Sequence, residues 1–481
     1  MRAVFAYDTQ ICNTLPLIPN QHYYSSGIKK FIPINGSTAM RTKILPTTSY
    51  NYSIACGDHY YPLDVMLENN KVEVERVSIK QIHNTTQKYI YVLCLRNFVN
   101  LLTEVFPGKM RVIDGNFILQ KNFLIETLSS KIIEHINSKQ CLLIIHDMIE
   151  CNYYTPTHVH TFKALCKEAD IDFRNILFLT SNTYNDVSEL NIQHWPYWEA
   201  ATKYASASVS LSTHHTYKQR YKILLLNSRQ RQFRYYIAYK LWKNNNKTFN
   251  NINISLEKID IDKLYNLQSY TMSRYNLPNS VNFFEKEKNN VIIIKDFLSL
   301  LPQFAKNDLA FNSPQFPGYE EYEQYTSNVH SPSPFFKHRH WNSLSHDLFA
   351  SCDIQLVTET FMEPTYVNSC PHLFITEKTY KAIAMSKPFF IAGQAGTLKY
   401  LRSCGYKTFS DIWDETYDDI DDPVQRADNI IKTIIYLLNL PESQYTDIIT
   451  KANIIAKHNL LHFKSRVPEK MFIDTVKTFF T

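Results

Sequence analysis

Residues 373–402, LFITEKTYKAIAMSKPFFIAGQAGTLKYLR, put a lysine where simple electrostatics disfavours one. An apolar helical pattern (Tyr380, Ile383, Ala384) starts directly behind Thr376, Glu377 and Lys378. Thr376 is of a type that caps helices, and Glu377 suits the positive end of the helix field. Lys378 does not, since a cation in the first turn loses about 0.3–1 kcal/mol. A bound anion removes the conflict, and phosphate is the usual guest at a helix N-terminus. A lysine that simply points into solvent is the alternative. Gly396 opens a further helix pattern after the apolar run from Pro388 to Ala392, where its backbone amides can add to an anion site.

Three other clusters carry usable chemistry. Behind the strand pattern KILLLN, Asn227, Arg229, Arg231 and Arg234 fall at a strand-to-helix junction. The guanidinium fork matches phosphate bidentately; a solvated basic helix start is the competing explanation. In VTETF, Glu359 ends an apolar strand, a place from which a carboxylate accepts hydrogen bonds from sugar or ribose hydroxyls, or serves only as a cap or rim charge. In CLLIIHDMIECNYY, His146, Asp147 and Glu150 follow a buried strand. Transfer to a hydroxyl needs a base to take the acceptor proton, and Glu150, then Asp147, are the candidates. The histidine pairs His158/His160, His214/His215 and His338/His340 do not fit a zinc frame. The D-x-D within DDIDD (418–422) lies in an acidic run away from any strand end and reads as a solvated face. No metal set is expected.

The elements that must position these residues alternate. Residues 1–85 are rich in Tyr, Thr, Pro and Asn and read as short strands and loops. From about 88 the pattern is α/β: YIYVLCL and MRVID as strands, KNFLIETLSSKIIEHINS as a helix, CLLIIHDMIE as a strand, TPTHVHTFKALCKEA as a helix and NILFLTSN as a strand. Such units imply a parallel sheet. Residues 196–220 read as a connection, after which the pattern restarts at 221 and runs through an apolar helix near 291–304 and a long Pro-rich loop. Two helix patterns, 423–439 and 442–457, and a last helical piece close the chain.

Composition sets outer bounds. With 481 residues, two domains are expected, and 44% hydrophobic with 20% charged residues suits a globular protein. The net charge of +6 is too weak to imply nucleic-acid binding. No apolar run reaches the length of a membrane span, and the N-terminus lacks a secretory pattern. The nine cysteines contain no C-x-x-C pair and suit reduced core thiols, so a cytoplasmic location is expected. Nine glycines, against about 34 at average usage, leave no G-x-G-x-x-G or Walker loop. Side chains and helix ends must then hold any nucleotide. The wealth of Asn, Ile, Lys and Tyr is what an AT-rich genome encodes, a viral one among them.

The ordered set LNSRQRQFR, LVTET and ITEKTYKAIAMSKPFFIAG resembles the donor-binding half of the α-1,3-fucosyltransferase-like glycosyltransferases. It is also similar to a wider group of uncharacterised viral and marine glycosyltransferase-like proteins with Thr-Glu-Thr, Thr-Glu-Lys-Thr and Gly-Thr-Leu-Lys-Tyr-Leu-Arg segments. The likeness covers roughly residues 220–415, with a weaker extension over 90–215. It implies a GT-B-like α/β fold, two Rossmann-like domains whose parallel sheets face a cleft. It implies sugar transfer from a nucleotide-sugar donor to a glycan or other hydroxyl acceptor, with no cofactor and no obligatory metal. Carried over by motif, Arg229 or Arg231 and Lys378 hold the diphosphate, Glu377 binds ribose or donor-sugar hydroxyls, Glu359 faces the donor sugar, and a first-domain carboxylate is the base. Thr360 stands where the family has Asn, and Phe374 where it has Tyr, so GDP-fucose is not implied as the donor.

The expected organisation is a β- and loop-rich extension (1–85), an acceptor-side α/β domain (86–215), a donor domain (216–440) and C-terminal helices (441–481) that pack back on the first domain. Two other functions remain open on sequence: a non-catalytic virion or binding protein on a degenerate glycosyltransferase fold, and a DNA-base glycosyltransferase.

Overall fold

A computed structural model describes residues 2–7, 22–25, 28–33, 53–54, 63, 67, 70–78, 82, 85–96, 110–113, 116–119, 122, 124–125, 128–147, 156–181, 189–207, 221–227, 230–267, 281–301, 349–363, 366–367, 370–371 and 373–481. The chain is mixed α/β and builds two parallel sheets. The first contains β1 (Arg2–Tyr7), β2 (Glu73–Ser78), β3 (Tyr89–Arg96), β4 (Cys141–Asp147), β5 (Ile176–Thr180) and β6 (Asn191–His194), in the order β6-β5-β4-β3-β1-β2. Ser53–Ile54 adds an antiparallel bridge on β3. Residues 2–7 and 73–78, which the sequence groups with a separate β-rich stretch, are therefore strands of this sheet. Met110–Ile113, read as a strand of the same kind, instead forms an antiparallel hairpin with Asn116–Leu119.

Alternation explains why this sheet is buried on both faces. Leu142 and Ile144 of β4, with Leu177 and Leu179 of β5, join one apolar cluster. Cys141, Leu143 and Ile145, with Ile176 and Phe178, join another. A strand buried on both faces reads as a continuous apolar run, which CLLII and ILFL are. Helices α1 (Ser130–Asn137) and α2 (Pro156–Glu168) cover the second cluster through Ile132, Ile136, Phe162 and Leu165.

Residues 196–220 do not form a plain connection, because Tyr197–Ala207 is a helix, α3. Its Tyr197, Trp198 and Ala200 are buried, and apolar side chains adjacent in sequence mask the helical period.

The second sheet holds β7 (Tyr221–Leu226), β8 (Ile252–Ser255), β9 (Cys352–Thr358) and β10 (Phe389–Ala392), all parallel, in the order β8-β7-β9-β10. The order reverses between β7 and β9, and in open parallel sheets ligands bind outside the carboxyl ends of the strands at such a point. Helix α4 (Gln232–Asn244) links β7 to β8, α5 (Val291–Ser299) packs on α4, α6 (Glu377–Ala384) links β9 to β10, and α7 (Thr397–Ser403) follows β10. Tyr239, Trp242, Phe284 and Phe297 interlock between α4 and α5, with ring centroids 5.7–6.4 Å apart.

Helices α8 (Pro423–Leu438), α9 (Glu442–Ser465) and α10 (Lys470–Phe480) close the chain. Helix α10 returns to the first sheet, where Phe472 meets Trp195 edge-on at 5.5 Å and Gln193 Nε2 donates to Thr475 Oγ1 at 2.7 Å. The two sheets share one apolar cluster. Among the described residues, no helix is long and apolar enough to cross a membrane.

Candidate functional site

The N-terminus of α6 is built by a neighbouring strand. Thr376 is extended (φ −109°, ψ −178°), and its Oγ1 accepts from the Lys378 amide at 3.5 Å, so it caps the helix. Its own amide and hydroxyl donate to Glu359, at 3.1 and 2.6 Å. Thr379 Oγ1 and the Thr360 amide donate to the same carboxylate, at 2.6 and 3.2 Å. Glu359 is 1% exposed, and these four neutral donors saturate it. Glu359, expected to face a donor sugar, here has its lone pairs taken up in fixing α6 to the end of β9. Gly393 passes close beside it, where a Cβ would come within 3.4 Å of the Glu359 side chain.

Helix α6 is buried on all sides except at Lys378, whose side chain is 21% exposed. The ammonium turns back to Thr376 Oγ1 (3.0 Å) and Glu377 Oε1 (3.2 Å). Burial on its own pushes the Glu377 carboxyl up, but Lys378 and Lys381 outweigh it and hold the pKa below the usual range. Glu377, expected to meet ribose or sugar hydroxyls, here pairs with Lys378.

Across the reversal point, Asn227 follows β7 and Thr358 ends β9, and Thr358 Oγ1 donates to Asn227 Oδ1. Asn227 is 2% exposed, and its Nδ2 has no hydrogen-bond partner among the described residues. Arg231 occupies the cap position of α4 and lies over the Phe361 ring at 5.5 Å. Arg234 is 1% exposed and donates to the Thr358 and Glu359 carbonyls at 3.1 and 3.0 Å. Read on sequence as a phosphate ligand, Arg234 is a clamp on the backbone of the β9 end. Arg229 lies outside the described residues.

A second clamp was not visible in the sequence. Arg426, within the helix pattern 423–439, is 1% exposed and donates to the carbonyls of Gly393, Met362, Ile420 and Asp421. Burial pushes its pKa down to about 10. The helix opened by Gly396 is also already occupied. Gly396 takes φ +80°, its amide donates to Asp418 O at 2.8 Å, and the Asp418 carboxylate accepts from the Leu398 and Lys399 amides at 2.9 Å each. Gly396 is thus no open anion site. The run 418–422 is not simply a solvated face either: Asp418 is buried, and Asp422 caps α8 through the Gln425 amide at 2.8 Å.

On the first sheet, Asp147 ends β4, its side chain and that of His146 lie outside the described part, and so does all of Glu150. A described carboxylate at the junction of the two sheets is Glu199 on α3. It is 1% exposed, accepts from Tyr406 Oη at 2.6 Å and pairs with Arg466 at 2.9 Å. Burial raises its pKa against the pull of Arg466. A cavity of about 10 Å³, the space of one water, lies between Ser181, His194, Glu199, Tyr380 and Tyr400. Trp198 meets Phe374 edge-on at 6.4 Å in the same seam, so α3 rests against the segment that carries Lys378.

Larger grooves lie elsewhere: about 720 Å³ along α10 and about 400 Å³ between α4 and α8. Neither gathers polar groups at strand ends; in the second, Lys240 is already paired with Glu287 and Asp428. Among the described residues no group of three His, Cys, Asp or Glu is placed to hold a metal ion. No family model, curated protein or solved structure matches the chain.

Proposed function

We propose that the chain transfers a sugar from a nucleoside-diphosphate sugar to a hydroxyl acceptor, on a GT-B-like pairing of its two parallel sheets. One observation carries this reading. At the reversal point of the second sheet, a buried network leaves Lys378, among the described residues, as the one partly exposed cation at the open end of an otherwise buried helix. A cation held there by the bound diphosphate stabilises the charge that develops on the leaving group. The acceptor oxygen attacks the anomeric carbon, the bond to the diphosphate breaks, and the diphosphate leaves with the electron pair toward Lys378 and the α6 amides. Arg231 and Asn227, one strand away, supply further donors. The acceptor proton passes to a carboxylate at the end of β4, for which Glu150 and Asp147 are the candidates. The positive charge comes from the protein, so no metal is invoked.

The test is donor turnover. Phosphorus NMR of the protein with UDP-, GDP- and other nucleoside-diphosphate sugars in EDTA is expected to show release of one nucleoside diphosphate, which Lys378→Met abolishes. Release from none of them overturns the reading in favour of a non-catalytic binding protein.

A further inference from the structure

We propose that Glu377 is the counter-ion that parks Lys378 in the unliganded protein, and that the diphosphate of the ligand displaces it. This rests on the reading of the site given above.

Three observations converge on an exchange of partners. Among the described residues the Lys378 ammonium has two hydrogen-bond partners, Thr376 Oγ1 at 3.0 Å and Glu377 Oε1 at 3.2 Å, and only the second carries charge. Thr376 cannot compete for the lysine as an anion does, because its proton is committed to Glu359 at 2.6 Å. Glu377 also stands in the field of Lys381, one turn along the same helix, so it keeps a cation when Lys378 swings away. The field of Lys381 thus offsets part of the cost of leaving the buried carboxylate when the pair with Lys378 breaks. Exposure points the same way: the lysine side chain is 21% exposed and the glutamate 8%, so the cation has the path outward.

A ligand is called for independently. Asn227, 2% exposed, has its Oδ1 held by Thr358 and its Nδ2 without an acceptor among the described residues, beside the strand end that anchors α6. A buried amide donor at a reversal point asks for an acceptor oxygen, and a diphosphate brings several. The motif-based role of Glu377 as a hydroxyl-binding residue predicts no gain in affinity for pyrophosphate, which has no sugar hydroxyls, on its removal, so the two can be separated.

The experiment is calorimetric titration of the whole chain with inorganic pyrophosphate in EDTA at fixed ionic strength. Glu377→Gln, close in shape, is expected to bind about two- to fivefold more tightly than the natural sequence, the size of a partly exposed ion pair. Lys381→Met is expected to bind more weakly, because Glu377 then holds Lys378 alone, and Glu377→Gln with Lys381→Met to return to the level of Glu377→Gln. Equal or weaker binding by Glu377→Gln, with the natural protein still binding, overturns the exchange and leaves the site intact. No pyrophosphate or nucleoside diphosphate bound by any of them overturns the site itself, and the exchange with it.

Discussion

Glu359→Gln isolates the bond set on which the site is built. The carboxylate presents two oxygens: Oε1 takes the Thr376 amide and Thr379 hydroxyl, and Oε2 the Thr360 amide and Thr376 hydroxyl. Glutamine keeps one oxygen and offers an NH2 in place of the other. The threonine hydroxyls can rotate to accept from it, but the backbone amide on that side cannot. Whichever way the amide is turned, one buried N–H faces an NH2 and the charge-assisted bonds at the other oxygen weaken. With about 1.5–3 kcal/mol for each bond to a charged group and about 1–3 kcal/mol for a stranded donor, the loss comes to about 3–5 kcal/mol. It should appear where the bonds are, in α6. Hydrogen exchange of the amides of residues 377–384 at neutral pH is expected to quicken by about two orders of magnitude or more, with the amides of β4 and β5 much less affected. A change in α6 below about fivefold would refute the view that Glu359 is a structural anchor and return it to the open site.

Other consequences follow from the same contacts. His194 is half-buried, and that burial, reinforced by Arg466, pushes its pKa down to about 4 from 6.5. Between those values the unfolded chain takes up a proton that the native one refuses. Stability should therefore fall as pH drops below about 6.5, by at most about 1.4 kcal/mol per unit and, with the solvent screening of a half-buried ring, about 1–2 kcal/mol in total. Urea midpoints across pH 4–8 should show a shallower slope in His194→Gln; an unchanged slope would remove this histidine from the acid response. Arg426→Met leaves the carbonyls of Met362, Gly393, Ile420 and Asp421 without their donor and is expected to cost about 3–5 kcal/mol, read as a lowered urea midpoint at unchanged m-value. Asp418→Ala removes the acceptor for two amides of α7 and should cost about 1–2 kcal/mol; a loss within experimental error would mean that water replaces the cap.

The part of the site legible in the sequence was its local part. Thr376 in front of an apolar helical period announces a cap, and Glu359 and Asn227 stand at the ends of apolar runs, so strand ends and helix starts could be placed. What those side chains do there was not legible, because it depends on partners far along the chain. Glu359 looks like a ligand residue until Thr376 and Thr379 are seen to claim it. Arg234 looks like a phosphate ligand until its donors are found on Thr358 and Glu359. Arg426 sits in a polar-looking turn of helix and gives no sign that it reaches Gly393 and Met362. Glu199 and Arg466 meet across 267 positions of sequence. Tyr197–Ala207 escaped notice as a helix because Tyr-Trp at its start packs into the seam between the sheets and breaks the simple amphipathic period. The strand order, with its reversal between β7 and β9, is a property of pairing between distant strands that no local pattern encodes.

The central claim is that Lys378 at the start of α6 holds a diphosphate. The most direct measurement is calorimetric titration of UDP, GDP, ADP and CDP in EDTA into the natural protein and Lys378→Met. One nucleoside diphosphate is expected to bind, with affinity reduced about tenfold or more by the loss of a charge-assisted phosphate contact. Binding that survives Lys378→Met unchanged, or the absence of binding by every nucleoside diphosphate, would contradict the claim.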